Sequence, residues 1–251
     1  MNLIESRIFA GVFIYIALLF PASAWAQSEL PLPIVFEDYP PYEFVEDGEV
    51  KGMNIEIIRE AFSRMGIKPY FEPRPWKRAL FQLLEGEILA LSSGFQTKDR
   101  EEFVAYPSGG GLGMEINCVI IPADSDLKIT SLDDLRGLRV GVVRSYVYGG
   151  GFDEIEGLNK IEAGSTHQLL RMLLKRRMDV AIGNKMVFRY LALKREQESS
   201  LQFPLEIARE PLHLMFSKAY GPRGIQMARD FGVALEQMKK DGTFDAIVSR
   251  Y

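Results

Sequence analysis

The chain has 251 residues, 47% of them hydrophobic and 25% charged, the balance of an ordinary folded globular protein with a sizeable core. A formal charge of −4 without a basic cluster argues against a nucleic-acid partner. One cysteine, Cys118, excludes an internal disulfide framework, and the two histidines, His167 and His213, form no Cys/His group at metal-ligand spacing, so neither a metal nor another cofactor is expected.

The first predicted element is an export signal over residues 1–26. Arg7 and the amino terminus precede the unbroken apolar run from Ile8 to Phe20, and Pro21 and the small-residue site Ala24-Trp25-Ala26 follow it. A membrane-spanning helix needs roughly 20 apolar residues, and this run is shorter. Cleavage is therefore expected after Ala26, with no cysteine there to carry a lipid. Glu5 and Arg7 leave together, so the mature charge stays at −4.

Short apolar runs then alternate with helical patterns, which predicts an α/β fold. Leu32 to Phe36 reads as a buried strand, and Asp38-Tyr39-Pro40-Pro41 as a turn. Ile55, Ile58, Phe62 and Met65 follow helical spacing up to Gly66. Lys68 to Glu72 is strand-like, Trp76 to Leu84 helical, and Ile88 to Leu91 the next strand. After Gly109-Gly110-Gly111, strands are predicted at Val119 to Ile121, Val140 to Val143 and Val180 to Ile182. Helices are predicted from His167 to Lys175 and from Met186 to Leu193. Leu212 to Phe216 is a last strand, followed by two helices that carry Phe231, Leu235 and Met238, then Phe244, Ile247 and Val248. Cys118 lies in the apolar stretch Ile116 to Ile121 and reads as a buried structural thiol.

Several segments occur in a telling order: Tyr39-Pro40-Pro41-Tyr42-Glu43-Phe44, Gly52-Met53-Asn54-Ile55-Glu56, Trp76-Lys77-Arg78-Ala79-Leu80, and the run from Ser92 to Arg100. Val140 to Val143, Met178 to Ile182 and the closing stretch Ala234 to Phe244 complete the set. Together they resemble the family 3 bacterial extracellular solute-binding proteins over essentially all of Gln27 to Tyr251. The resemblance implies the type II periplasmic binding protein fold: two lobes, each a mixed sheet flanked by helices, joined by a two-strand hinge near Gly111–Ile116 and Ile207–Pro211. Lobe 1 would comprise 27–111 and 210–251, and lobe 2 would comprise 112–209. It further implies a monomeric, non-enzymatic periplasmic protein that captures a small carboxylate-bearing solute, an amino acid or related compound, for an ABC permease. Two alternatives belong to the same fold: a periplasmic dehydratase of the cyclohexadienyl type, and a partner that presents ligand to a membrane sensor.

The candidate binding residues follow from these motifs. Thr97 suits the cap of a short helix, and Arg100 would project from its first turn. A guanidinium offers two parallel donors that match a carboxylate, and by resemblance Arg100 clamps the ligand there. Ser92 and Ser93 match the family's small polar contacts, although strand-end hydrogen bonding explains them nearly as well. Trp76 and Tyr39 are expected as aromatic walls, and Tyr42 suits wall or core equally. Asp38 and Arg78 are adjacent candidates that would otherwise form an exposed ion pair. In lobe 2, Arg144, Ser145 and Tyr146 occupy a turn whose backbone N–H groups suit an anion. Ser145 and Val147 stand where relatives often carry Gly and Ser or Thr. Asn184 stands where amino-acid binders commonly place an Asp that pairs with the ligand's ammonium. An amide keeps the hydrogen bonding without the charge. Glu115 or Asp38 is the carboxylate that the sequence offers in its place.

Overall fold

The structure, a computed structural model, describes residues 32–251, so the predicted signal over 1–26 lies outside the described residues. The apolar run at the start forms β1 (Leu32–Phe36), a parallel neighbour of both β4 (Pro69–Pro73) and β5 (Ala90–Gly94). A hairpin of β2 (Phe44–Glu46) and β3 (Glu49–Lys51) precedes α1 (Met53–Arg64), and α2 (Trp76–Leu84) connects β4 to β5. The apolar face of α1 carries Ile55, Ile58 and Phe62, all fully buried, as its helical spacing requires. A one-turn helix α3 (Lys98–Glu101) and the short β6 (Val104–Ala105) follow.

A second set of strands begins with β7 (Gly113–Pro122) and continues through β8 (Arg139–Val143), β9 (Asn159–Ala163) and β10 (Val180–Asn184). Helix α4 (Thr166–Leu174) links β9 to β10, and α5 (Lys185–Leu193) follows. β11 (Leu201–Ser217) is 17 residues long and belongs to both halves. From Leu201 to Leu212 it pairs antiparallel with β7, and from His213 onward it pairs with β5 and β6. The strand order is therefore β4-β1-β5-β11-β7-β10-β8-β9, with β6 beside β11. Two mixed sheets flanked by helices share one long strand, the two-lobed arrangement with a two-strand hinge that the sequence predicts.

Apart from β7, which sequence reading confined to Val119 to Ile121, the main strands it shortened or missed are polar ones. Leu201 to Glu210 alternates between buried or half-buried and exposed positions and contains Pro204, as suits a strand whose outer side is unpaired. β9 is mostly exposed, and the β2–β3 hairpin is only three residues per strand. None of these contains an apolar run to announce it. Asp179 ties β8 to the turn before β10, accepting the Arg139 backbone N–H at 2.7 Å and pairing with its guanidinium at 2.7 Å. Cys118 is buried, and burial pushes its thiol up to about 11.

The chain ends with α6 (Pro222–Lys240) and α7 (Thr243–Val248), which pack against α1. Phe231 locks α6 in place: its ring centroid lies 5.4 Å from that of Phe62 on α1 and 5.9 Å from that of Phe216 on β11. All three are fully buried. Phe231→Ala is expected to cost about 3–5 kcal/mol, because a cavity opens where three rings meet. Equilibrium urea unfolding measures this directly, and a loss below about 1 kcal/mol would show that α6 docks by other contacts.

Candidate functional site

Three segments at the ends of β1, β5 and β7 converge where the lobes meet. After β1, the chain places Glu37 and Tyr39 and turns back, with Tyr39 and Glu43 bridged through their backbones (Tyr39 N to Glu43 O, 2.6 Å). The turn carries Glu43 beneath the end of β5. There Ser93 donates to Glu43 Oε2 at 2.8 Å, and Ser92 makes a short hydrogen bond to the same oxygen. Ser93 adopts a left-handed backbone (φ 65), a conformation costly for a residue with a side chain, and also accepts from Asn54 Nδ2 at 2.6 Å.

Thr97 caps α3 as predicted, its hydroxyl accepting from the Arg100 backbone N–H at 3.4 Å. The Arg100 side chain turns inward and is buried. Its Nη1 donates to the Phe95 carbonyl at 3.1 Å, and its guanidinium lies 5.5 Å from the Trp76 ring centre. Among the described residues no carboxylate lies within ion-pair distance of it. Burial lowers its affinity for a proton, an unfavourable setting for an unpaired cation.

The lobes touch through aromatic side chains. Trp76 Nε1 donates to the Ser145 carbonyl at 3.1 Å, and the Tyr146 hydroxyl makes a short hydrogen bond to Glu37. The Tyr146 ring lies edge-on to Tyr39 (6.2 Å) and to Trp76 (5.8 Å). The loop that carries Tyr146 is pressed onto β11 at Gly150, where φ is 58 and an added Cβ would collide with the Ile207 carbonyl. Trp76, Tyr146, Tyr39 and Glu37, with Phe95, Val147, Glu115 and Leu212, line a space of about 30 Å³. That is room for about two waters.

Three carboxyl groups line this space. Burial raises Glu37 to about 7, against the lowering influence of the Tyr146 hydroxyl. Glu43 rises to about 8, again by burial, despite Ser92 and Ser93. Burial raises Glu115 on β7 to about 7, with Asn117, Tyr39 and Asn184 acting the other way. Among the described residues, no group of three or more His, Cys, Asp or Glu side chains is arranged to hold a metal ion.

Of the predicted residues, the cavity brings together Arg100, Trp76, Tyr39, Ser93 and Tyr146. Ser92 is fully buried and holds Glu43 from behind. Asn184 also stands back: its Oδ1 caps α5 by accepting from Met186 N at 2.8 Å, while Nδ2 donates to the Tyr42 hydroxyl at 3.1 Å. Tyr42 is core, fully buried beneath Tyr39. The structure does not bring Asp38, Arg78, Arg144 or the Ser145 side chain to the cavity. Asp38 sits at the rim, 3.9 Å from His167, and Arg78 is exposed. Arg144 is exposed and pairs with Glu162 at 2.7 Å on neighbouring β9, so its charge is spent outside. Ser145 contributes its carbonyl alone. Glu37 and Glu43 were not singled out by sequence reasoning; the signal available was their position on either side of the Tyr39-Pro40-Pro41-Tyr42 turn.

The raised carboxyl groups have a consequence for stability. A carboxyl that titrates near 4.5 when unfolded but near 8 when folded keeps its proton longer in the folded state. Its contribution is greatest at low pH and is lost as pH rises from about 4.5 to about 8. Glu43→Gln keeps the acceptor for the serines and removes the titration. The variant is expected to melt a few degrees above the parent near pH 8.5 and close to it near pH 5. Thermal unfolding at both values checks this, and parallel curves would show that Glu43 ionises freely.

A family model described as bacterial extracellular solute-binding proteins, family 3, matches residues 34–251. No curated protein sequence matches significantly. Among solved structures, a histidine kinase sensor domain with similarity to periplasmic binding proteins superposes with a TM-score of 0.77 at 20% identity, covering 88% of this chain and 95% of that one. An ancestral arginine-binding protein bound to arginine gives 0.76 at 21%, covering 88% and 97%. The arginine-, lysine-, histidine-binding protein ArtJ from Geobacillus stearothermophilus gives 0.75 at 17%, covering 88% and 95%. At these identities the structures establish the shared two-lobed fold. The family match covers nearly the whole described chain, and the protein belongs to the family 3 bacterial extracellular solute-binding proteins.

Proposed function

We propose that the protein is exported to the periplasm, where as a monomer it captures a small carboxylate-bearing solute, an amino acid or related compound, and delivers it to an ABC permease. In this reading lobe 1 is 27–111 with 210–251, lobe 2 is 112–209, and bending of β7 and β11 opens the cleft. The observation that carries it is the buried Arg100 guanidinium. It lines the interlobe cavity, lies 5.5 Å from the Trp76 ring centre, and bonds to a backbone carbonyl without a carboxylate partner among the described residues. A buried unpaired cation is costly, and a solute carboxylate would offset that cost through two parallel hydrogen bonds. Binding rather than catalysis is the reading favoured by family membership. A second reading, presentation of the solute to a membrane sensor, draws on the fold shared with the histidine kinase sensor domain.

Calorimetric titration with amino acids and related carboxylates tests the reading. At least one is expected to bind, and Arg100→Ala is expected to weaken that binding about 100-fold or more, the usual loss when one partner of a buried charge pair is removed. Unchanged affinity in a folded Arg100→Ala protein would refute the clamp.

A further inference from the structure

We propose that Tyr146 is a tethered occupant of the cleft: it fills the place between Tyr39 and Trp76, holds the lobes together when no solute is bound, and must be displaced before a solute reaches Arg100. Only the last of these clauses rests on the reading of Arg100 above; the others concern the protein by itself.

The loop after β8 is braced so that its tip stays in place. Tyr148 is buried, and its hydroxyl accepts from the Val143 backbone N–H at 2.6 Å across the base of the loop. Asp153 accepts from the backbone N–H groups of Tyr148 at 2.9 Å and of Gly149 at 2.7 Å. At Gly150 the chain lies so close to the Ile207 carbonyl that no Cβ fits. Each of these anchors belongs to lobe 2 or to β11. The near side of the tip is a tight turn. There the Tyr146 backbone N–H donates to the Val143 carbonyl at 3.2 Å, and Ser145 has a left-handed backbone at φ 66. A residue with a side chain holds that conformation only where its surroundings impose it.

This turn presents the Ser145 carbonyl and the Tyr146 side chain to lobe 1. Trp76 Nε1 donates to the carbonyl at 3.1 Å, and the Tyr146 hydroxyl donates to Glu37. The Tyr146 ring stands edge-on to Tyr39 and to Trp76, with an interplanar angle of 77° in each pair. That is a favoured arrangement of aromatic rings. Both aromatic walls and one acid of lobe 1 are therefore supplied with a partner by the protein's own chain. With the ring in place, the space left beside Arg100 is about 30 Å³, room for about two waters. A phenol ring is far larger than two waters, so ring and solute contend for one volume.

A competitor built into the chain acts at a fixed effective concentration. The apparent affinity for solute is then the intrinsic affinity reduced by the fraction of molecules in which the place is free. Shortening this side chain therefore strengthens solute binding. Removing a side chain that contacts the solute has the opposite sign, which separates an occupant from a wall. The two parts of the contact are separable as well. Tyr146→Phe keeps the ring contacts and loses the hydrogen bond to Glu37, whereas Tyr146→Ala loses both.

Small-angle X-ray scattering tests the contact without any ligand, on residues 27–251 dialysed until native mass spectrometry detects no bound small molecule. The parent is expected to scatter as a protein whose lobes touch. Tyr146→Ala is expected to show a larger radius of gyration, with Tyr146→Phe between the two, and thermal unfolding confirms that each variant is folded. Equal radii for folded parent and Tyr146→Ala, or a parent already open, would overturn the inference. Calorimetric titration with L-arginine, L-glutamine and succinate tests displacement. Any of these that binds the parent is expected to bind Tyr146→Ala at least threefold more tightly. Unchanged or weaker binding would overturn the inference and make Tyr146 a wall of the site. If none of the three binds the parent, the Arg100 reading loses support, and the scattering alone decides the role of Tyr146.

Discussion

The antiparallel pairing of β7 with β11 is the constraint on which the rest of this structure depends. It is the longest strand contact in the fold, running from Leu201 opposite Pro122 to Leu212 opposite Gly113. Beyond Leu212 the same β11 enters the other sheet and pairs with β5. One continuous strand thus carries mechanical connection between the lobes, and β7 returns beside it. Two strands side by side bend more easily than a packed core deforms, which suits hinge motion around a ligand. The pairing also sets chemistry, because Glu115 lies opposite Glu210 at the hinge itself and turns its side chain into the cavity.

From that arrangement the electrostatics of the cleft follow. Glu37, Glu43, Glu115 and Arg100 are all out of water where the lobes meet, and each bears a desolvation cost. The protein meets that cost locally with hydroxyls: Ser92 and Ser93 for Glu43, Tyr146 for Glu37. Hydroxyls satisfy hydrogen-bonding capacity without neutralising charge, so the acids hold their protons instead.

Much of this was legible before the fold was seen. β1 and α2 fall where apolar spacing puts them, and Thr97 caps the helix that aims Arg100 inward. Trp76 reaches the cavity from the first residue of α2, and Tyr39 and Tyr146 reach it from loops that follow β1 and β8. What was hidden depended on neighbours distant in sequence. Arg144 looked like a ligand contact until β9, a polar strand with no apolar run, placed Glu162 beside it. Asn184 looked like an altered ligand contact, yet its oxygen caps α5, a role that depends on where that helix begins. Glu43 lies 49 positions from Ser92, and nothing local marks a Glu in a Pro-rich turn as buried. The charge balance of a cleft is a property of two lobes together, and a single chain pattern does not display it.

The central proposal is that this cleft takes up a small carboxylate-bearing solute held by Arg100. Native mass spectrometry of freshly purified protein, followed by denaturation and identification of whatever is released, tests it without choosing a ligand in advance. The account predicts a single small molecule, bound one to one, that contains a carboxylate. Release of a compound with no carboxylate would contradict it.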